Sequence, residues 1–202
     1  MPILCVAGSK GSGKDTLCDY LVANHGFQKI AFADALKCVS LKLIHATWPS
    51  LSHLTMEDMY DREAKERVYE DVSFGGRPFS IRWYLQYLGT NVIREHLSKD
   101  VWVRSVIDEV GKAFTKDLDP RICISDCRFA NEVSLMKRAF GKETKVFTLR
   151  LARGSAEPTD ECHPSEAQDF SVDQVFVNDG TKNDLVRFGD ALVSKLYSSD
   201  RS

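Results

Sequence analysis

Residues Gly8-Ser9-Lys10-Gly11-Ser12-Gly13-Lys14-Asp15-Thr16 stand between an apolar run, Ile3 to Ala7, and a helical pattern that begins near Leu17. Strand, glycine-rich loop and helix in that order constrain the start of the chain to a phosphate-binding loop at the carboxyl end of a buried strand. The glycines let successive backbone N–H groups turn inward on a polyphosphate. The helix N-terminus adds partial positive charge, and Lys14 reaches the outer phosphates. Gly11, Ser12, Gly13, Lys14, Asp15 and Thr16 are therefore the expected contacts to a nucleoside triphosphate. The loop departs from G-x-x-x-x-G-K-[ST] once: Asp15 stands where a hydroxyl is usual, and the hydroxyl follows at Thr16.

Downstream, short β-rich runs alternate with helical patterns. Strands are expected at 28–32, 121–125, 145–150 and 175–177, and helices at 14–25, 33–45 (with Asp34 as N-cap), 80–97, 100–114, 132–140 and 182–197. This alternation argues an α/β fold with a parallel sheet covered by helices on both faces. Ligands of such sheets gather beyond the carboxyl ends of the strands. Gly8–Thr16, Asp34, Asp126–Arg128, Arg150–Arg153 and Asn178–Thr181 all fall there. Residues 55–70 are charge-dense and helical in propensity, 72–78 with Gly75-Gly76 read as a loop, and 152–169 read as an exposed mobile loop.

At 202 residues the chain is expected to be one domain, or one core with inserted lobes. A net charge of −2 gives no basic surplus for nucleic acid. No apolar stretch approaches membrane-spanning length, and no signal peptide is evident. The six cysteines include no C-x-x-C pair, which points to reduced thiols in a cytosol-like compartment. Only Cys127 and Cys162 fall near loop ends where a reactive thiol could sit.

Phosphoryl transfer asks for positioning, a metal and spread positive charge rather than a protein nucleophile. Asp126 is placed to present a carboxylate toward Mg²⁺ or the acceptor, or else to cap a turn. Arg128 could stabilise the transferring group or pair with Glu132. Arg82 and Gln86 share a helix face, with Arg94 further along. They suit either an acceptor nucleotide, Arg on phosphate and Gln on a base edge, or a solvated surface. Trp83, Tyr84, Leu85, Tyr87 and Leu88 between them read as core. Arg150 and Arg153 flank the loop at 152–169 and could act as lid arginines. Asn178-Asp179-Gly180-Thr181 forms a turn and helix cap, or offers its backbone to a purine base.

Taken in order, these segments resemble the bacteriophage deoxynucleoside monophosphate kinase family, with more distant similarity to animal-type phosphomevalonate kinases. The resemblance rests on Gly13-Lys14-Asp15-Thr16; Phe32-Ala33-Asp34-Ala35-Leu36-Lys37; Leu85-Gln86-Tyr87-Leu88-Gly89-Thr90 with Arg94; Asp100-Val101-Trp102; Asp126 to Glu132; His163-Pro164-Ser165-Glu166; and Asn178 to Thr181. It implies a three-layer P-loop kinase fold with a central parallel sheet. Residues 1–202 would form a single domain, with an acceptor-binding helical lobe at about 38–100 and a lid at about 151–170. It also implies an ATP- and Mg²⁺-dependent conversion of dNMP to dNDP in the cytoplasm, and a homodimer for which helix 80–97 is a candidate interface. By matched motif, Gly11 to Thr16 with Asn178, Gly180 and Thr181 would hold ATP, and Asp15, Thr16 and Asp126 the metal. Asp34, Lys37, Arg82, Gln86, Arg94 and Trp102 would hold the acceptor. Lys14, Asp126, Arg128, Arg150 and Arg153 would frame the transferring group. An acceptor such as phosphomevalonate or dephospho-coenzyme A, or a non-catalytic nucleotide-binding protein, stays open on the residues alone.

Overall fold

Every residue of β1 (Ile3–Gly8) is buried, as a strand with a continuous apolar run must be when both faces of its sheet are covered. The computed structural model describes residues 2–154 and 170–198. Contacts divide the chain into two units, Met1–Phe32 with Val103–Ser202, and Ala33–Trp102.

The first unit contains α1 (Lys14–His25), β2 (Gln28–Ile30), most of a long helix over Val101–Lys116, a strand over Ile122–Cys127, a helix over Ala130–Phe140, strands over Val146–Ala152 and Gln174–Val177, and a final helix over Lys182–Ser198. Numbered along the chain after the elements of the second unit, these last six are α6, β5, α7, β6, β7 and α8. The sheet runs β2-β5-β1-β6-β7 with every pairing parallel. β1 is thus central, and the loop that follows it emerges between the ends of β5 and β6.

On one face, Leu4, Val6, Cys123, Phe147, Leu149 and Leu151 pack with Leu17 and Leu21 of α1 and Leu185, Leu192 and Leu196 of α8. On the other, Ile3, Cys5, Ile122 and Ile124 are fully buried, as is Met136 of α7. Burial pushes the Cys5 thiol up to about 12, with Glu132 of α7 adding to the shift. Stacked rings of Phe114 and Phe140, 5.9 Å apart, join α6 to α7. The expected three-layer α/β fold is present, and every expected sheet strand forms within a few residues of its expected bounds.

The second unit holds α2 (Ala33–Thr47), a 3₁₀ turn (Pro49–Leu51), α3 (Met56–Tyr60), α4 (Arg62–Glu66), β3 (Tyr69–Phe74), β4 (Arg77–Phe79), α5 (Ile81–Gln86) and a π-helical segment (Tyr87–Leu97). Trp48 anchors its core against Phe74, Phe79 and Tyr84, with ring centroids 5.0–5.7 Å away.

The charged stretch 55–70 is helical, as its propensity suggests, in two short helices, because Asp61 ends α3 and its carboxylate caps α4 through the Ala64 N–H. Three expectations are corrected here. The loop expected at 72–78 is an antiparallel hairpin whose two turn residues, Gly75 and Gly76, have φ of 60° and 74°, the backbone a tight hairpin turn requires. The helix expected over 80–97 is α-helical only to Gln86; beyond it the turns widen. Asp34, expected as an N-cap, lies inside the first turn of α2.

Candidate active site

The glycine loop is built to present backbone rather than side chains. Gly13, at φ +100°, is the N-cap of α1 and has no side chain to offer, so no side chain caps that helix. The N–H groups of a helix's first turn lack partners within the helix, and an anion is their natural ligand. Ser12 is buried, and its Oγ has no hydrogen-bond partner among the described residues. A buried hydroxyl left in that state calls for a ligand. Lys14 Nζ folds back across the loop and donates to the carbonyls of Gly8 and Ser9, each at 2.7 Å. An ionised phosphate oxygen is a stronger acceptor than either carbonyl. Hydroxyl, uncapped helix end and ammonium together fit a polyphosphate.

Asp15 is exposed, and Lys29 on β2 bonds it at 3.0 Å and Asp19 at 2.9 Å. Burial works against the Lys29 ammonium, but hydrogen bonds to Asp19 and Asp15 overcome it and raise the pKa. Thr16 is exposed beside them. Asp126, in β5 next to β1, accepts the Phe32 N–H on Oδ1 at 2.7 Å. Among the described residues no group of three or more His, Cys, Asp or Glu forms a metal cage. Asp15, Thr16 and Asp126 offer oxygen donors, the type that Mg²⁺ takes when it keeps several waters and binds one or two carboxylates together with substrate phosphate oxygens.

Glu132, expected as an ion-pair partner for Arg128, engages its main chain. One buried carboxylate oxygen accepts the backbone N–H of Arg128 at 2.7 Å and of Phe129 at 2.9 Å, closing the N-terminus of α7 directly after Asp126 and Cys127. Cys127 itself lies buried in β5, and burial raises its thiol pKa well above the usual range. It is not a loop-end nucleophile.

Arg150 of β6 pairs in register with Ala7 of β1. Its guanidinium donates to the Phe170 carbonyl at 2.5 Å and lies 5.2 Å from the Phe170 ring centroid. Arg153 Nε donates to the Asn178 carbonyl at 3.3 Å. Most of the expected lid, with Cys162 and His163-Pro164-Ser165-Glu166, lies outside the described residues.

The segment after β7 is tied down by its side chains. The Asn178 amide donates to the Ser12 carbonyl at 2.9 Å, and Asp179 accepts the Gly154 N–H at 2.7 Å. Thr181 and Asp184 cap α8 reciprocally. Thr181 is therefore occupied as a helix cap, and Gly180 stands exposed in the bend before it.

In the second unit Asp34 and Lys37 meet at 3.4 Å. Tyr60, which no sequence motif marks, donates its hydroxyl to Asp34 at 2.7 Å and lies under the Lys37 ammonium, 3.6 Å from the ring centroid. Arg82 pairs with Glu66 at 2.7 Å, and Gln86 closes α5. Arg94 is buried in the π-helical segment, so the face shared by positions 82 and 86 does not extend to it. Trp102 is buried and donates its indole N–H to the Gly89 carbonyl at 3.1 Å. Tyr87, expected in the core, is 39% exposed.

A sequence model of deoxynucleotide monophosphate kinases matches residues 50–187. A protein of Acanthamoeba polyphaga mimivirus bearing the name "Putative deoxynucleotide monophosphate kinase" is 32% identical over 193 residues, covering 90% of each chain. Among solved structures, a gluconokinase from Sinorhizobium meliloti 1021 superposes with a TM-score of 0.50 at 11% identity, over 100% of this chain and 98% of its own. An APS kinase from Mycobacterium tuberculosis gives 0.45 at 8% identity, over 96% and 97%. Likeness at the gluconokinase level speaks to the fold alone. The family match starts beyond the glycine loop, so loop geometry and family match are separate findings. With that match over more than half its length and a viral relative aligned along most of both chains, the chain belongs to the deoxynucleotide monophosphate kinase family.

Proposed function

We propose that the chain transfers the γ-phosphoryl group of ATP to a deoxynucleoside monophosphate, giving ADP and the deoxynucleoside diphosphate. The observation that carries this is the glycine loop, with its unpartnered buried Ser12 hydroxyl and its Lys14, in a chain of this family. Gly11 to Thr16 hold the donor phosphates through backbone N–H groups. The Lys14 ammonium exchanges its loop carbonyls for phosphate oxygens. Asp126, with Asp15 or Thr16, holds Mg²⁺, which supplies charge neutralisation on the phosphates. Arg128, Arg150 and Arg153 add positive charge around the transferring group, whose oxygens carry the developing charge.

The second unit serves as the acceptor lobe. Asp34 and Lys37, held by Tyr60, contact the acceptor together with Arg82, Gln86, Arg94 and Trp102. Glu66 holds the Arg82 guanidinium at 2.7 Å.

A coupled ADP-release assay with ATP, Mg²⁺ and a panel of dNMPs, NMPs, phosphomevalonate and dephospho-coenzyme A tests the proposal. Turnover with at least one dNMP is expected. Turnover with a non-nucleotide acceptor alone would keep the loop chemistry and discard the acceptor assignment. ATP binding with no turnover across the panel would replace catalysis by nucleotide sensing.

A further inference from the structure

The phosphate loop is anchored from outside its own strand and helix. Asn178, 5% exposed, follows β7, the edge strand two positions from β1. Its backbone N–H donates to Ala152 at 2.7 Å and its carbonyl accepts Arg153, so its main chain is fixed to the end of β6. From there its side-chain amide reaches the Ser12 carbonyl at 2.9 Å. The fit is tight: a Cβ added at Gly13 would lie 2.5 Å from Asn178 Nδ2.

In a trans peptide the carbonyl and the following N–H point opposite ways. Holding the Ser12 carbonyl toward Asn178 therefore turns the Gly13 N–H to the other side of that peptide. Without the amide, the carbonyl would be a buried acceptor with no other hydrogen-bond partner among the described residues. The peptide could then rotate and direct its oxygen, the negative end of the dipole, at an incoming phosphate.

We infer that Asn178 is a positioning residue for the phosphate loop, acting on the polyphosphate part of the donor and not on its base. This rests on the donor site proposed above. It gives the residue a different task from the base contact its loop position suggests.

Calorimetric titration of the full chain with ATP and with inorganic tripolyphosphate separates the two tasks. In Asn178→Ala both ligands should weaken by the same factor, about tenfold. Asn178→Asp keeps the volume and sets an oxygen against the Ser12 carbonyl, and should weaken both at least as much. It carries the test should the alanine variant fail to fold. Loss of ATP affinity with tripolyphosphate unaffected would assign Asn178 to the base and overturn the inference. A lowered melting temperature with both affinities intact would reduce it to a structural residue and overturn it equally. Wild-type protein that binds neither ligand would bring down the donor site itself, a failure distinct from the other two.

Discussion

Glu132 offers a quantitative test of how the end of β5 is held. Its side chain is 3% exposed, and one oxygen accepts two backbone N–H groups, from Arg128 and Phe129. Phe129 has no side-chain acceptor, so only the Glu half of a reciprocal cap exists at α7. Glu132→Ala leaves two half-buried donors without that acceptor, at about 1–2 kcal/mol each, the lower part of the range for a buried group. With the lost packing of its methylenes, about 3–5 kcal/mol in total is expected, a large share of the roughly 5–15 kcal/mol by which domains are stable. Glu132→Gln keeps an oxygen able to reach both N–H groups and loses their charge assistance, so about 1–2 kcal/mol is expected from these two bonds. Equilibrium urea denaturation of the three proteins measures both differences. Activity should fall further in the alanine variant than its folded fraction accounts for, since Asp126 and Arg128 flank the released segment. A loss below about 1 kcal/mol for alanine, or equal losses for alanine and glutamine, would refute the argument that these two bonds hold the strand end.

Lys14→Ala should lower kcat/KM by at least about a hundredfold while the melting temperature stays close to wild type. An unfolded protein, or activity within tenfold of wild type, would contradict the role given to Lys14. Tyr60→Phe removes the hydroxyl from Asp34 but keeps the ring under Lys37. The KM for the dNMP should rise about fivefold with the KM for ATP unmoved, and an unchanged dNMP KM would detach Tyr60 from the acceptor. Burial raises the Asp173 carboxyl pKa, but hydrogen bonds from the Thr148 hydroxyl and N–H lower it further, so it ends below the usual value. A depressed folded pKa gives stability that is present above the unfolded pKa of about 3.9 and is lost as pH falls through the folded value. Asp173→Asn should therefore be less stable than wild type at neutral pH, with the gap in urea midpoints closing below about pH 4. A gap that persists or widens in acid would contradict the sign.

The sheet was legible because its signals are local. Strands buried on both faces read as largely apolar runs, and Ile3–Ala7, Ile122–Ile124 and Val146–Leu149, the last broken only by Thr148, are such runs. The hairpin was not, because Tyr69–Phe74 is mostly polar and only Val72 is buried within it. Its visible mark is Gly75-Gly76, a pair that fits a loop as readily as a hairpin turn. The change from α to π geometry at Tyr87 has no marker in the 80–97 pattern, where the Gly89 carbonyl takes an indole N–H from Trp102, thirteen residues on. Among the candidate site residues, Lys14, Asp126 and Arg128 are marked in the sequence because motif and strand end coincide. Tyr60 carries no such mark, because its contact is with Asp34, 26 residues earlier.

Asn178 stood out in the sequence, but its partner is 166 residues away, and that distance bears on how the loop is controlled. β7 pairs only with β6, and nothing among the described strands backs its other edge. What holds it from the side is the stacked pair Phe176–Phe188, with ring centroids 3.8 Å apart, tying the strand to α8. α8 in turn packs on α1, the helix whose N-terminus the glycine loop feeds. The loop is thus clamped twice from the same edge of the sheet, through Asn178 on its Ser12 peptide and through α8 on the helix behind it. Loosening β7 would disturb both clamps together. A phosphate loop recognisable from nine consecutive residues therefore depends for its shape on β7, Asn178 and α8, at the far end of the described chain.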